Sequence, residues 1–150
     1  MSIYEQAVQK LLDQAAITDL ILRYARAVDR RDWAQVLSCF APDAYVDYGR
    51  FQGGAEEVFG SIRKAFKVFE HTMHFMEPRI IEVAGDAATT ETYGIAYHRM
   101  LHDGKPKDLV IGMRYTDELV RQNDAWLFRR RTLEYIFERE DAVVVPGLTS

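Results

Sequence analysis

The chain has 150 residues, the usual size of one globular domain, and neither an internal repeat nor a linker-like stretch divides residues 1–150. Its net charge of −4, with both signs scattered, argues against a nucleic-acid binder, because such proteins concentrate basic residues on one surface. No segment approaches the roughly 18 apolar residues of a membrane span. We see no secretory signal, and the lone Cys39 cannot form an internal disulfide, so we expect a cytoplasmic protein away from membranes.

The first half of the chain predicts three helices and one short strand. Apolar residues at helical spacing indicate a long first helix, and Asp32 with Gln35 predicts a capping box at the start of a short second helix. Pro42-Asp43 ends this second helix, in which Cys39 is expected to be a core thiol. The predicted bounds are Glu5–Val28, Trp33–Phe40 and Glu56–Phe69 for the helices and Ala44–Tyr48 for the strand, with turns at Gly49 and Gly53-Gly54.

The second half predicts four long strands joined by hairpin-like turns at Gly85-Asp86, Asp103-Gly104 and Asn123-Asp124. Helices followed by an antiparallel meander predict an α+β domain. Such long strands must twist and curl, so we expect a cone-shaped, strongly curved, mostly antiparallel sheet that encloses a pocket with the helices. The predicted strands are Thr72–Val83, Ala88–Leu101, Leu109–Arg121 and Trp126–Phe137.

An acid at the end of the first helix is the first candidate for chemistry. The helix dipole disfavours Asp29 there, so it is either a surface acid beside two arginines or a residue held for a role. His71 and His74 lie at the next helix-to-strand junction, and either is able to enter the pocket. Their spacing also raises the idea of a metal site, but no third ligand at suitable spacing supports one.

Further candidates lie on the strands. His98 shares a strand face with small residues, which either leave room for a ligand or suit a curved sheet. Within Arg129–Arg131, alternation predicts opposite faces for neighbouring residues, and Arg131 is a candidate donor into the pocket, with a solvated arginine as the alternative. Tyrosine hydroxyls need partners when buried, and the tyrosines in question are Tyr24, Tyr48, Tyr97 and Tyr115.

Four segments, taken in order along the chain, resemble SnoaL-like proteins of the NTF2-like superfamily, whose fold is also described as cystatin-like. Their combined order and spacing carry the resemblance, which spans roughly residues 14–137. It implies a cone-shaped fold with a pocket and no cofactor. The segments are Ile17–Trp33, Asp43–Tyr48, His71–His74 and Asp124–Phe128.

Three lyases of this superfamily inform the site: scytalone dehydratase, hexachlorocyclohexane dehydrochlorinase and bile-acid dehydratase. The resemblance places their acid on Asp29 and their histidine on His74 rather than His71, and it adds Tyr24 as a third catalytic residue. Tyr24 stands where the dehydrochlorinase has a lysine, and the residues that line the scytalone pocket are replaced near Met113, which argues against both of those substrates. The implied substrate-binding residues are Tyr48, His98, Tyr115 and Arg131.

These residues predict a cofactor-independent dehydratase acting on a cyclic, apolar molecule such as a steroid or polyketide. Neutral imidazole accepts a proton near neutral pH, and Asp29 would orient His74 for that task. Tyr24, with Tyr48 or His98, would donate a hydrogen bond to the developing enolate or the departing hydroxyl. An isomerase or cyclase with the same base is the second interpretation, and a non-catalytic ligand-binding protein or accessory subunit is the third. We expect a homodimer or homotrimer formed through an exposed sheet face.

Overall fold

A computed structural model describes residues 1–144, which form three α-helices and one six-stranded sheet. The helices are α1 (Ile3–Asp29), α2 (Trp33–Ser38) and α3 (Ala55–Ala65), and a 3₁₀ turn (Phe66–Val68) follows α3. The strands are β1 (Phe40–Asp47), β2 (Gln52–Gly54), β3 (His71–Ala84), β4 (Ala87–His102), β5 (Lys105–Gln122) and β6 (Ala125–Ala142).

The sheet has the order β2-β1-β6-β5-β4-β3, and only the β1–β6 pair is parallel. The predicted α+β class with a mostly antiparallel sheet is therefore confirmed. The helices cover one face, where their apolar side chains and those of the strands form the core. Fully buried members of this core include Ile17, Leu20, Ile21, Val36, Val46 and Phe128.

The first helix is longer than predicted and only partly packed. Ser2 caps it, because its hydroxyl accepts from the backbone N–H of Glu5 while the Glu5 carboxylate accepts from the backbone N–H of Ser2. The expected apolar stripe fails over the first three turns, where Leu11 is 66% exposed and Leu12 is 59% exposed. A helix of 27 residues is about 40 Å long, and its first third extends beyond the part of the sheet that it covers.

The predicted boundary between α2 and the next strand is wrong. Asp32 does cap α2, since its carboxylate accepts from the backbone N–H of Gln35, but the helix ends at Ser38. Pro42, expected to end the helix, lies inside β1, where pairing with β6 is irregular between Phe40 and Tyr45. A proline is tolerated there because no ladder hydrogen bond from its nitrogen is required.

A β-bulge in β6 overturns simple alternation in the run Arg129–Arg131. Arg130 pairs with Glu118 and Phe128 pairs with Leu119, so Arg129 is the extra residue. Arg129 and Arg130 are consequently both exposed, whereas Arg131 is 0% exposed and joins Phe128 in the core.

The sheet face opposite the core is apolar and exposed. Phe75, Tyr93, Ile95, Ile136 and Phe137 line a shallow groove on this face, and each is 39–57% exposed. This is the kind of surface on which self-association was expected, and the homodimer or homotrimer stays a prediction. Across residues 1–144, no helix combines the length and the apolar character that crossing a membrane requires.

Candidate active site

The end of α1 meets the start of β3, and this contact joins Asp29 to His74. Oδ1 of Asp29 lies 2.6 Å from Nδ1 of His74, and Oδ2 accepts the backbone N–H of His74 at 2.9 Å. The hydroxyl of Thr72 donates to Oδ1 at 2.9 Å. These three hydrogen bonds offset the unfavourable helix dipole, which explains how an acid is tolerated at this helix end.

The carboxylate selects the tautomer of the imidazole. Burial raises the pKa of Asp29, but the hydrogen bonds and charge of His74 and the hydrogen bond from Thr72 outweigh burial, so the pKa lies below its ordinary value. Asp29 is therefore ionised at neutral pH and only accepts hydrogen bonds. In neutral His74 the proton consequently resides on Nδ1, and Nε2 keeps its lone pair.

A cavity of about 520 Å³ adjoins this pair, and we call it the aromatic cavity. Its size is within the range of small-molecule sites. His74 lines it, whereas Asp29 stands behind the imidazole and His71 is exposed outside. Other residues that line the cavity include Tyr24, Tyr48, Phe66, Phe69, His98, Met113, Tyr115 and Glu138.

His98 is placed as a hydrogen-bond acceptor toward the aromatic cavity. Burial lowers its pKa to about 4, and the nearby charge of His74 acts in the same direction, so His98 is neutral at physiological pH. Its Nδ1 donates to the backbone carbonyl of Leu109 at 3.1 Å, which leaves Nε2 as an acceptor. The expectation that His98 donates to a substrate oxygen is therefore wrong for this protonation state.

The small residue Gly94 on the His98 strand face serves packing rather than ligand space. A Cβ atom at Gly94 would lie 2.7 Å from Sδ of Met76 and 3.3 Å from Cγ of Met113. The two methionines thus occupy the room that the missing side chain leaves. Of the two readings left open for this strand face, packing on a curved sheet is the correct one at Gly94.

Two tyrosine hydroxyls meet at the wall of the aromatic cavity. Oη of Tyr24 lies 2.7 Å from Oη of Tyr48, so one hydroxyl donates to the other and one proton remains for a ligand. Burial raises the pKa of Tyr24 to about 12, although the charge of Arg131 lowers it, and the phenol therefore stays protonated. Tyr115 packs edge-on against Tyr48, whereas Tyr97 packs on Phe75 away from the aromatic cavity.

Arg131 does not line the aromatic cavity, contrary to expectation. The bulge in β6 turns it into the core, where its guanidinium carbon lies 4.3 Å from the ring centre of Tyr24 and 4.0 Å from that of Tyr115. Its Nε is 3.3 Å from Oδ1 of Asp117, a buried acid that the sequence analysis missed. Strand alternation from Tyr115 would have placed Asp117 on the inward face, so a signal existed.

Two residues beside the Asp29–His74 pair were also missed. Thr72 precedes His74 by two positions and therefore shares its strand face, a signal that alternation carries. Arg31 contacts Thr72, but the direction of its side chain depends on a positive φ at residue 31, which no sequence pattern predicts. Within the described part of the chain, no group of three or more His, Cys, Asp or Glu side chains is arranged to hold a metal ion.

Residues 9–132 match the family model of the SnoaL-like domain. The chain belongs to this SnoaL-like family. An uncharacterized protein of Mycobacterium tuberculosis is 29% identical over 141 residues, which cover 89% of this chain and 92% of the relative. The family that the sequence resemblance indicated is thus confirmed.

Solved structures share the fold at low sequence identity. A scytalone dehydratase-like protein of Novosphingobium aromaticivorans aligns with a TM-score of 0.80 at 20% identity, over 96% of this chain and 99% of the other. A hexachlorocyclohexane dehydrochlorinase of Novosphingobium barchaimii aligns with a TM-score of 0.80 at 20% identity, over 93% and 99%. These likenesses establish the fold of this SnoaL-like protein, and its chemistry has to be argued from its own site.

Proposed function

We propose that this SnoaL-like protein is a cofactor-independent lyase that eliminates water from a cyclic, apolar small molecule such as a steroid or polyketide. One observation carries the proposal: the ionised Asp29 holds Nδ1 of His74 at 2.6 Å while the imidazole lines the aromatic cavity. This geometry leaves Nε2 as a base directed away from its carboxylate partner.

The proposed reaction needs a hydroxyl two carbons from a carbonyl group. Nε2 of His74 takes the proton from the carbon between them, and the C–H electron pair moves to form an enolate. When the carbonyl re-forms, that pair becomes a carbon–carbon double bond and the carbon–hydroxyl bond breaks. The hydroxide takes the proton back from His74 and leaves as water, so the site ends in its starting state.

The Tyr24–Tyr48 pair is the proposed partner of the carbonyl oxygen. The hydroxyl of the pair that is not already donating to the other tyrosine donates to that oxygen. This hydrogen bond strengthens as negative charge develops in the enolate. Nε2 of His98 is proposed to accept from the substrate hydroxyl and so to hold it beside His74, which supplies the proton with which it leaves as water. The substrate class is supported by the lining of the aromatic cavity, in which aromatic and aliphatic side chains outnumber polar ones.

An isomerase or cyclase with the same base is the second candidate. Proton abstraction and enolate stabilisation are common to both reactions, and the isomerase returns the proton to a different carbon. The ring centres of His74 and His98 are 5.6 Å apart, so two imidazoles adjoin the cavity, which favours this candidate over simple binding. A non-catalytic binding protein or accessory subunit would need the cavity but would not need an ionised partner on His74.

The test is to incubate the protein with a panel of hydroxylated cyclic ketones and follow the absorbance of the conjugated product. His74→Ala should abolish the signal, and Asp29→Asn should reduce it by roughly 10³-fold. His71→Ala is the matched control, since His71 is an exposed histidine three residues earlier, and it should keep wild-type rates. Activity that survives His74→Ala would refute the assignment of the base.

A further inference from the structure

The connection between α1 and α2 contains a residue in an unusual backbone conformation. Arg31 has φ = 59°, a left-handed geometry that costs free energy for any residue with a side chain. Its side chain returns toward the site: Nη1 donates to the carbonyl of Val28 at 3.0 Å and to the hydroxyl of Thr72 at 2.8 Å. The guanidinium carbon also lies 5.0 Å from the ring centre of Phe66, a residue of the cavity wall.

The two hydrogen bonds that link Arg31, Thr72 and Asp29 have only one possible direction. A guanidinium group donates and never accepts, so the Thr72 oxygen must accept from Arg31. The single hydroxyl proton of Thr72 is then free for Oδ1 of Asp29, which accepts it at 2.9 Å. Thr72 is 5% exposed, so solvent competes little for this proton.

We propose that Arg31 and Thr72 are positioning residues for the Asp29–His74 pair, with Arg31 orienting the Thr72 hydroxyl so that it holds the carboxylate against the imidazole. The role rests on the proposed function, because it acts only through that pair. Arg31 donates to the Thr72 hydroxyl, which in turn donates to the carboxylate of Asp29, and successive hydrogen bonds of this kind polarise one another. The backbone strain at residue 31 is a further sign that the side chain is held there for a role.

The charged and titratable groups that face Asp29 come from three directions. His74 and the Thr72 hydroxyl approach from β3, Arg31 approaches from the α1–α2 connection, and the neutral His98 lies behind His74 on β4. The ionisation of Asp29 therefore reports on the hydrogen bond from Thr72 without any need for a substrate.

The experiment follows the titration of the Asp29 carboxyl carbon by NMR in the full-length protein. Thr72→Val removes the hydroxyl and should raise the acid midpoint of Asp29, with about a tenfold change in its dissociation constant. Thr72→Ser keeps a hydroxyl and should restore the wild-type midpoint. Thr92→Val is the matched control, because Thr92 is a fully buried threonine on β4 whose hydroxyl has no hydrogen-bond partner within residues 1–144.

Two substitutions distinguish the role of the Arg31 side chain from the effect of its backbone conformation. Arg31→Gly suits the left-handed geometry, so it should fold with unchanged or higher thermal stability and still shift the Asp29 midpoint. Arg31→Gln removes the positive charge, and Arg30→Gln on the exposed neighbouring arginine is its control for net charge.

The possible failures are distinguishable. If the wild-type titration and the imidazole nitrogen signals show no contact between Asp29 and His74, the proposed function itself fails. If that contact is present but Thr72→Val and both Arg31 variants titrate like the wild type, the positioning role is overturned and the base assignment stands. An equal shift of the Asp29 midpoint in Thr92→Val would also overturn it, because the effect would then be general.

Discussion

Asp29 and Asp117 are each paired with a basic side chain, and the two pairs differ in burial, hydrogen bonding and pKa. Asp29 is 22% exposed, accepts three hydrogen bonds and has a lowered pKa. Asp117 is 1% exposed and accepts one hydrogen bond, from Thr90, among the described residues, while its Oδ1 lies 3.3 Å from Arg131 without bonding geometry. Burial raises the pKa of Asp117 to about 6, against the opposing charge of Arg131.

The difference shows why electrostatic perturbation alone does not identify an active site. Arg131 cannot release a proton at any physiological pH, and neither it nor Asp117 lines the aromatic cavity. His74 does line that cavity, and it is able to gain and lose a proton. The Asp29 pair is therefore equipped for proton transfer, whereas the Asp117 pair is equipped to support the tyrosines that stack on Arg131.

Removing each carboxylate charge in turn is expected to give the largest contrast. Asp29→Asn should lower kcat/KM by roughly 10³-fold, because an amide neither fixes the imidazole tautomer nor stabilises its charged form. Asp117→Asn should keep kcat/KM within about tenfold of wild type, since it changes a residue outside the cavity wall. Steady-state kinetics on the substrate found in the ketone panel measures both values, and equal losses would abolish the distinction between the pairs.

The next largest effect concerns the stability of the buried pair. Arg131→Met leaves Asp117 buried without its counter-charge and should lower the free energy of unfolding by about 3–5 kcal/mol in urea titrations. The double variant Arg131→Met/Asp117→Leu should recover most of the loss, because neither charge is then left buried. A single variant as stable as the wild type would show that the pair contributes nothing to the fold.

Tyr24 connects the aromatic cavity beside Asp29–His74 with the buried Asp117–Arg131 pair, since it lines the cavity and its ring lies on Arg131. Tyr24→Phe removes the hydroxyl and keeps the ring, so it should reduce kcat by about 10²-fold, the usual cost of losing one donor to a developing oxyanion. Thermal unfolding should show a change of only a few degrees. Unchanged kcat in this variant would remove the tyrosine pair from the mechanism.

The smallest effect is a difference in the sign of two pH dependences. Asp29 has a lowered pKa, so its contribution to stability is present above pH 4 and is lost as the pH falls further. Asp117 has a raised pKa, so its contribution is present below about pH 4 and is lost as the pH rises through about 6, a change of about 2–3 kcal/mol. Urea titrations from pH 3 to pH 8 should show this in the free energy of unfolding. Asp29→Asn should lose the rise of that free energy with pH below about pH 4, and Asp117→Asn should lose its fall between about pH 4 and pH 6. Changes of the same sign in both variants would contradict the assigned shifts.

Sequence reasoning recovered the parts of this molecule that depend on local pattern. Hydrophobic periodicity and turn residues predicted three helices and four long strands, and the family resemblance selected His74, the histidine that the structure pairs with Asp29. Pro42 and Arg131 were misplaced because a pairing irregularity and a bulge arise from strand register, which no local pattern encodes. The protonation of His98 was missed because it depends on burial and on a carbonyl of the neighbouring strand.

The most direct test of the Asp29–His74 base is hydrogen exchange into a bound ketone. The protein is incubated in D₂O with cyclic ketones that fit the aromatic cavity, and the loss of the proton beside the carbonyl is followed by ¹H NMR. This measurement detects proton abstraction whether water is eliminated afterwards or the proton simply returns. Exchange by wild type and by His71→Ala, and none above background by His74→Ala, is the predicted result. Equal exchange rates in wild type and His74→Ala would contradict the central claim.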